Sequence, residues 1–391
     1  MNNQTPHKAD QPFSILLIGT QMALAGAQKG LLDQAHWFKS HGHDVMVAFF
    51  YDKENLHEKW KGTVDFPILN FHAYQPGAGM LRQSLFLIRG VWRLWKLLRR
   101  RKFDVVETFT HDSNLLALPF AWLAGVPVRI ATHRGEIENF PLWREKLHSW
   151  IINIGIADML IAVSEQTRQK GIAEGVKPEK VIAIPNGVTP FDTASIDRIQ
   201  ARKQLGLAGD NIFLLAVGRL TYQKGHEFFV QAMPKILNRY PNVKAALCGD
   251  GPLYPQLENQ IRKLGLVEHV RLLGVQSNVA PLLVASDVFV LPSRSEGLSR
   301  ALMEAMAAGV PVVATRVNGI KDLITDKVHG LLVFPEDADA LADSILQLLD
   351  NPQMMTDLKL AARAHVLHFH STDGMCKKYA ELMQALLTTH G

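Results

Sequence analysis

The chain has 391 residues, 47% of them hydrophobic and 20% charged, with a formal net charge of +5. That length exceeds what one core supports, and the composition excludes disordered and fibrous classes, so two globular domains are expected. Two cysteines, Cys248 and Cys376, are too few for a disulfide framework and fit a reducing, cytoplasmic setting.

In chain order, the opening "MNNQTPHKADQPFSILLIG" offers only a short apolar run, too short for a signal peptide or membrane span, and reads as a first strand at Ser14–Ile18. The loop "LAGAQKG" follows, and a second strand is expected at Asp44–Phe50. Arg82 to Lys102 then holds eight Arg or Lys and no acid, so the basic excess is local and points to one anionic partner and not to nucleic acid. Within it Arg82, Arg89, Arg93, Lys96 and Arg100 recur at helical spacing with Ile88, Trp92 and Trp95 beside them. Such a helix either packs its leucines on a sheet with a solvated basic edge, or lies on an anionic membrane surface at the inner face.

Further strands are expected at Val105–Thr108, Val128–Thr132, Met159–Val163 and Val181–Ile184. His111 and His133 follow or end two of these, and either is a candidate site residue by position alone. After the turn "IPNGVTP" and a polar stretch, alternation restarts at 211–218, 243–249, 270–274, 287–292 and 310–315, with helical patterns at 338–350, 352–368 and 373–388. Strands alternating with helices imply parallel sheets. The expected architecture is α/β, with two doubly wound, Rossmann-like domains over 1–190 and 191–370 facing across a cleft, and a helix over 371–391 packing back on the first. Ligands bind such sheets beyond the carboxyl ends of the strands.

Three segments at those ends carry chemistry. "GRLTYQKG" puts Arg219 and Lys224 before a helix, where two cations and free backbone amides suit a phosphate. "CGDGPL" brings Gly249 and Gly251, which permit close backbone approach. "SEGLSRALMEAMAAGVPVVAT" places Glu296 at the mouth of a helix starting near Leu298 and Glu304 about two turns deeper. A diphosphate on the amides of Gly297, Leu298 and Ser299 would leave Glu304 for a ribose and Glu296 for a sugar, because carboxylates satisfy vicinal hydroxyls. The competing reading pairs Glu304 with a buried arginine. No Gly-x-Gly-x-x-Gly follows the first strand, which disfavours a nicotinamide enzyme.

The last segment resembles the Glu-x7-Glu signature of retaining GT-B glycosyltransferases, family 4 (glycosyl transferases group 1), and the other two match that family's donor segments in order. The resemblance implies transfer of a sugar from a nucleotide-diphosphate-sugar, with a UDP-sugar as the first guess, to a glycan or lipid-linked acceptor in envelope polysaccharide or lipopolysaccharide synthesis. Arg219 and Lys224 would neutralise the diphosphate, with Gly26, Ala27, Gly249 and Gly251 approaching the donor. Glu296 would sit by the transferred sugar and His133 by the reacting centre, with His111, Arg134 and Glu136 on the acceptor side. No cofactor or metal is expected. Ala25 and Gln28 depart from the family's Gly-Gly-Ala-Glu-like loop, which puts a role for Gln28 in doubt. A non-catalytic sugar-nucleotide-binding subunit, an epimerase and a phosphorylase are the alternatives.

Overall fold

The computed structural model describes residues 11–24, 26–134 and 141–390. The chain divides into two compact units, Met1–Gly187 with Thr372–Gly391, and Val188–Ser371. The boundaries expected from sequence lay at 190 and 370.

The first unit holds a seven-stranded sheet of β1 (Ser14–Met22), β2 (Asp44–Asp52), β3 (Ile68–Asn70), β4 (Val105–Thr108), β5 (Val128–His133), β6 (Met159–Ala162) and β7 (Val181–Ala183), in the order β3-β2-β1-β4-β5-β6-β7. The second holds six: β8 (Ile212–Val217), β9 (Val243–Cys248), β10 (Val270–Gly274), β11 (Val288–Leu291), β12 (Val312–Thr315) and β13 (Leu331–Val333), in the order β10-β9-β8-β11-β12-β13. The ladders joining these strands are parallel.

Period-two alternation divides β1 between two cores: Ile15 and Leu17 enter one, Leu16 and Ile18 the other. Helices therefore cover both faces, which is why these strands read as continuous apolar runs. The final helix, Thr372–His390, closes the first of those cores with Cys376, Tyr379 and Met383, all fully buried beside Phe38 and Ile130. Each such side chain contributes on the order of 1.5–3 kcal/mol on burial.

Strand order reverses between β1 and β4 in one sheet and between β8 and β11 in the other, so the loops leaving those strands diverge and leave an opening at the carboxyl ends. The segments singled out from sequence fall there: Gly26 after β1, His111 after β4, Arg219 after β8 and Glu296 after β11.

The edge strands β3 and β13 were not expected. At three residues each, "ILN" and "LLV" are too short for a period to be read, and they exist through pairing with β2 and β12. Gly26 and Ala27, expected in a loop, are the first two residues of the helix Gly26–Ser40. Gln28 is spent locally, its amide donating to Gln21 O at 3.0 Å. Ala25 and Glu136 lie outside the described residues.

Candidate active site

In the second unit, the chain leaves β8 through Gly218 and Arg219 and crosses the loop that follows β9. A Cβ at Gly249 would lie 1.9 Å from Gly218 O, and one at Gly251 would lie 2.4 Å from Leu220 O. Two bonds lock the crossing, Leu220 N to Asp250 O (2.9 Å) and Leu253 N to Leu220 O (3.0 Å). The backbone that crowds these glycines is thus the neighbouring loop, which carries the exposed side chain of Arg219.

A short 3-10 turn, Tyr222–Lys224, ends at Gly225 in the left-handed region (φ 59°), where a Cβ would meet Pro292 O at 2.2 Å. That contact sets Lys224 against the segment leaving β11. Its Nζ donates to both carboxylate oxygens of Glu296, at 2.7 and 2.9 Å, and Ser293 Oγ donates to Oε1 at 2.7 Å. The two side chains are 16% and 6% exposed, so the pair is poorly hydrated and its orientation is fixed by three bonds.

Arg294 fastens the same loops together. It pairs with Glu227 (2.6 Å) and Glu336 (2.5 Å), donates to Tyr222 O (2.6 Å) and lies 3.8 Å over the Tyr222 ring. Sequence reasoning missed Ser293, Arg294 and Glu227, which carry no motif of their own. It also missed His226, buried one residue after Gly225; burial, then the Lys224 charge, pushes its pKa down to about 4, so the ring is a neutral support at pH 7.

The expected helix near Leu298 begins at Arg300, with Ser299 as its N-cap. Glu296 is therefore in the loop, and Glu304 is about one turn into the helix, not two. The reason is local: Gly297 packs on Gly319, where a Cβ would lie 1.9 Å from Gly297 O, and this contact holds the loop open before the helix can start. Lys224 and Glu296 are brought together; Glu304 goes elsewhere, with Arg300 Nη2 3.7 Å from its Oε1. The buried-arginine reading of Glu304 is thus realised in this structure. Asp337 and Asp339 form an Asp-x-Asp pair that the metal-free expectation passed over. Asp337 caps the helix Ala338–Leu349 by accepting from Ala340 N at 2.8 Å, and Asp339 Oδ1 lies 3.7 Å from Lys235 Nζ.

In the first unit, His133 ends β5 and His111 opens the helix His111–Leu123, whose N-cap is Thr110. Their rings meet edge to face with centroids 4.5 Å apart. His148, from the helix Leu142–Asn153, packs on His111 at 4.5 Å. Glu174, the C-cap of the helix Glu165–Ala173, reaches His133 Nε2 at 3.4 Å and His111 Nε2 at 4.0 Å, and Lys170 approaches it at 3.9 Å. Sequence reasoning found both strand-end histidines but missed His148 and Glu174. The Lys170/Glu174 pair at i, i+4 was the one available signal.

Burial, then the neighbouring His133, pushes the pKa of His111 down to about 3, and burial with His111 beside it pushes His148 well below its ordinary value. Burial opposes ionisation of Glu174, but the His133 hydrogen bond and then the neighbouring His133, His111 and Lys170 side chains outweigh it and hold its pKa below the ordinary carboxylate value. One carboxylate thus lies against His133 and beside two buried rings, His111 and His148, whose protonation burial suppresses.

His111, His148 and Glu174 offer ligand atoms within 4.8 Å of one another, a donor set that a metal could use. One nitrogen of His148 is already engaged. Asn114 Nδ2 donates to Thr132 O (3.1 Å), which fixes the amide, so His148 Nε2 at 2.8 Å accepts from it and the proton resides on Nδ1. Arg134 turns back into its unit, 4.1 Å over the Phe109 ring and donating to Asn186 Oδ1 at 3.1 Å.

Two doubly wound parallel sheets, with ion-paired strand-end loops in one unit and a histidine cluster in the other, define a glycosyltransferase of the GT-B class. Residues 24–190 match Glycosyltransferase Family 4 and residues 197–365 match Glycosyl transferases group 1; the chain belongs to this family and is a hexosyltransferase-type enzyme. It is 32% identical to a GDP-mannose-dependent alpha-(1-6)-phosphatidylinositol monomannoside mannosyltransferase of Mycolicibacterium smegmatis, over 81% of this chain and 88% of that protein. It is also 32% identical to an Escherichia coli UDP-Gal:alpha-D-GlcNAc-diphosphoundecaprenol alpha-1,3-galactosyltransferase, over 66% and 69% of the two chains. The crystal structure of Anabaena Alr3699/HepE in complex with UDP and glucose shares the fold, with a TM-score of 0.82 and 22% identity over 95% of this chain and 99% of that one.

Proposed function

We propose that the protein transfers a hexose, with retention at the anomeric carbon, from a nucleotide-diphosphate-sugar to a glycan or lipid-linked acceptor in cell-envelope polysaccharide or lipopolysaccharide synthesis. It would act at the cytoplasmic side, peripherally on the membrane through the 82–102 segment. The single observation that carries the reading is the Lys224–Glu296–Ser293 constellation at the end of β11.

In this reading the departing diphosphate accumulates charge as the anomeric centre gains oxocarbenium character. Arg219, Lys224 and the amides of Gly297, Leu298 and Ser299 stabilise that charge without a metal. Lys224 is already aligned by Glu296, so its ammonium needs little reorganisation when the phosphate arrives. Glu296, held by two donors, accepts from hydroxyls of the transferred sugar, and Glu304 exchanges Arg300 for a ribose. On the acceptor side, Glu174 fixes His133 with His111 packed against it, and Arg134, turned back onto Phe109 and Asn186, is left out of the approach.

A UDP-sugar remains the favoured donor, supported by the relative that uses UDP-Gal, whereas another relative uses GDP-mannose. A thermal-shift panel of UDP, GDP, ADP and their sugars chooses among them, because a ligand that prefers the folded state raises the midpoint. Glu296→Gln should retain the nucleotide-induced shift and lose turnover. If every donor and acceptor tested fails to turn over with wild-type protein, the transferase reading falls to a binding-subunit role. The anomeric configuration of the product, read by NMR, tests retention separately.

A further inference from the structure

The helix Met80–Arg100 buries only Gly90, Leu94 and Leu98. Its outward side is apolar where a solvated helix would be polar: Leu81, Leu85, Ile88 and Trp92, at spacings of four, three and four, are 86%, 56%, 63% and 57% exposed. The helix Leu142–Asn153 repeats the same spacing through its C-cap: Trp143, Leu147, Trp150 and Ile154 are 65%, 39%, 55% and 52% exposed. The helix His111–Leu123 packs against both and ends in exposed Trp122 and Leu123. All three helices bury their opposite sides in one core, through Leu94 and Leu98, Leu118 and Ala121, and Ile151 and Ile152, so their outward sides share one face of the unit.

That face gathers thirteen of the twenty-three large apolar side chains exposed among the described residues, including all four exposed tryptophans. Contiguous exposed apolar surface of this kind marks an interaction site. Its charge selects the occupant: residues 80–102 contain eight Arg or Lys and no Asp or Glu. No helix among the described residues is long and apolar enough to cross a membrane.

We infer that the outward sides of the helices Met80–Arg100, His111–Leu123 and Leu142–Asn153 together form a docking face for an anionic lipid bilayer, with tryptophans at headgroup depth and the basic helix neutralising lipid charge. Apolar stripes flanked by aromatics and cations are the composition of elements that lie in a membrane interface. The inference rests on the reading above only in taking lipid as the partner, and it adds the second and third helices to the surface.

The test uses the full chain with phosphatidylcholine vesicles, with and without phosphatidylglycerol. Wild-type protein should sediment with the anionic vesicles on the order of a hundredfold more strongly than with the neutral ones, and brominated lipid should quench its tryptophans. Trp143→Glu/Trp150→Glu and, separately, Leu85→Glu/Ile88→Glu should each lower that partitioning by about tenfold or more. Both should keep the nucleotide-induced thermal shift, which confirms folding and separates this test from failure of the transferase reading. Equal binding by wild type and both variants would overturn the inference. So would a wild-type dimer in light scattering that becomes monomeric in the variants without any vesicle binding, because a second copy would then own the face.

Discussion

The two strand-end sites bury polar groups by opposite means. Around Glu296 the second unit retains charge and pairs it: Lys224 with Glu296, Arg294 with Glu227 and Glu336, Arg300 with Glu304. Around His133 the first unit instead sets one carboxylate against His111 and His148, buried rings whose protonation burial suppresses. Under the proposed function the difference follows from what each would meet. A preorganised ion pair can pass its cation to an arriving anion, whereas neutral rings can accept or donate to hydroxyls without imposing a field.

The largest effect should come from breaking the ion-paired side. Lys224→Met leaves Glu296 an uncompensated, poorly hydrated charge, with an expected cost of about 3 kcal/mol in unfolding free energy and on the order of 10²–10³ in kcat. Adding Glu296→Gln should recover most of the stability and none of the activity. Recovery of activity in the double variant would show that the pair is structural only. Gly249→Ala tests the scaffold beneath it: a Cβ 1.9 Å from Gly218 O must displace the Arg219 loop, with an expected cost of about 2 kcal/mol or more. Unchanged stability and nucleotide binding would mean that the two loops move apart freely.

How far the sequence could be read follows the same division. Glu296, Lys224 and the glycines are legible because they occur in short contiguous segments beside strands, and the apolar alternation that locates the strands is strong in a two-sided sheet. Helix start was misplaced because it depends on Gly319 meeting Gly297 across 22 residues, a contact no local pattern encodes. The partners of His133 were illegible for a related reason: His148 and Glu174 arrive from separate helices 15 and 41 residues later and meet only in the folded unit. Of the exposed stripe at 81, 85, 88 and 92, only Ile88 and Trp92 were singled out, because helical periodicity identifies a face but not which side the protein covers.

The histidine side can be probed more gently. Glu174→Gln removes the carboxylate that orients His133 and retains its volume. Losing a charged hydrogen bond worth about 2 kcal/mol should lower kcat/KM roughly thirtyfold while leaving the nucleotide-induced thermal shift intact. A change confined to unfolding free energy would reduce Glu174 to a structural role and leave His133 without its orienting group.

The smallest effect is in pH dependence, and it separates the two sites. A histidine whose folded pKa is lowered binds its proton only in the unfolded chain, so its contribution to stability is complete above about pH 6.5 and is lost as pH falls toward the folded value, about 3 for His111. Glu107, pushed up to about 8 by burial, acts in the opposite sense, losing stability as pH rises through 4.5 to 8, so the wild-type profile is the sum of opposed slopes. Comparison with His148→Gln isolates one ring. Between pH 6.5 and 5.5 the variant should lose about 1 kcal/mol less than wild type. Hydrogen exchange in the helix His111–Leu123 reports on this unit alone. Parallel slopes for the two proteins would mean that His148 is protonated in the folded state, and the carboxylate would then be facing a charged cluster, as its counterpart Glu296 does.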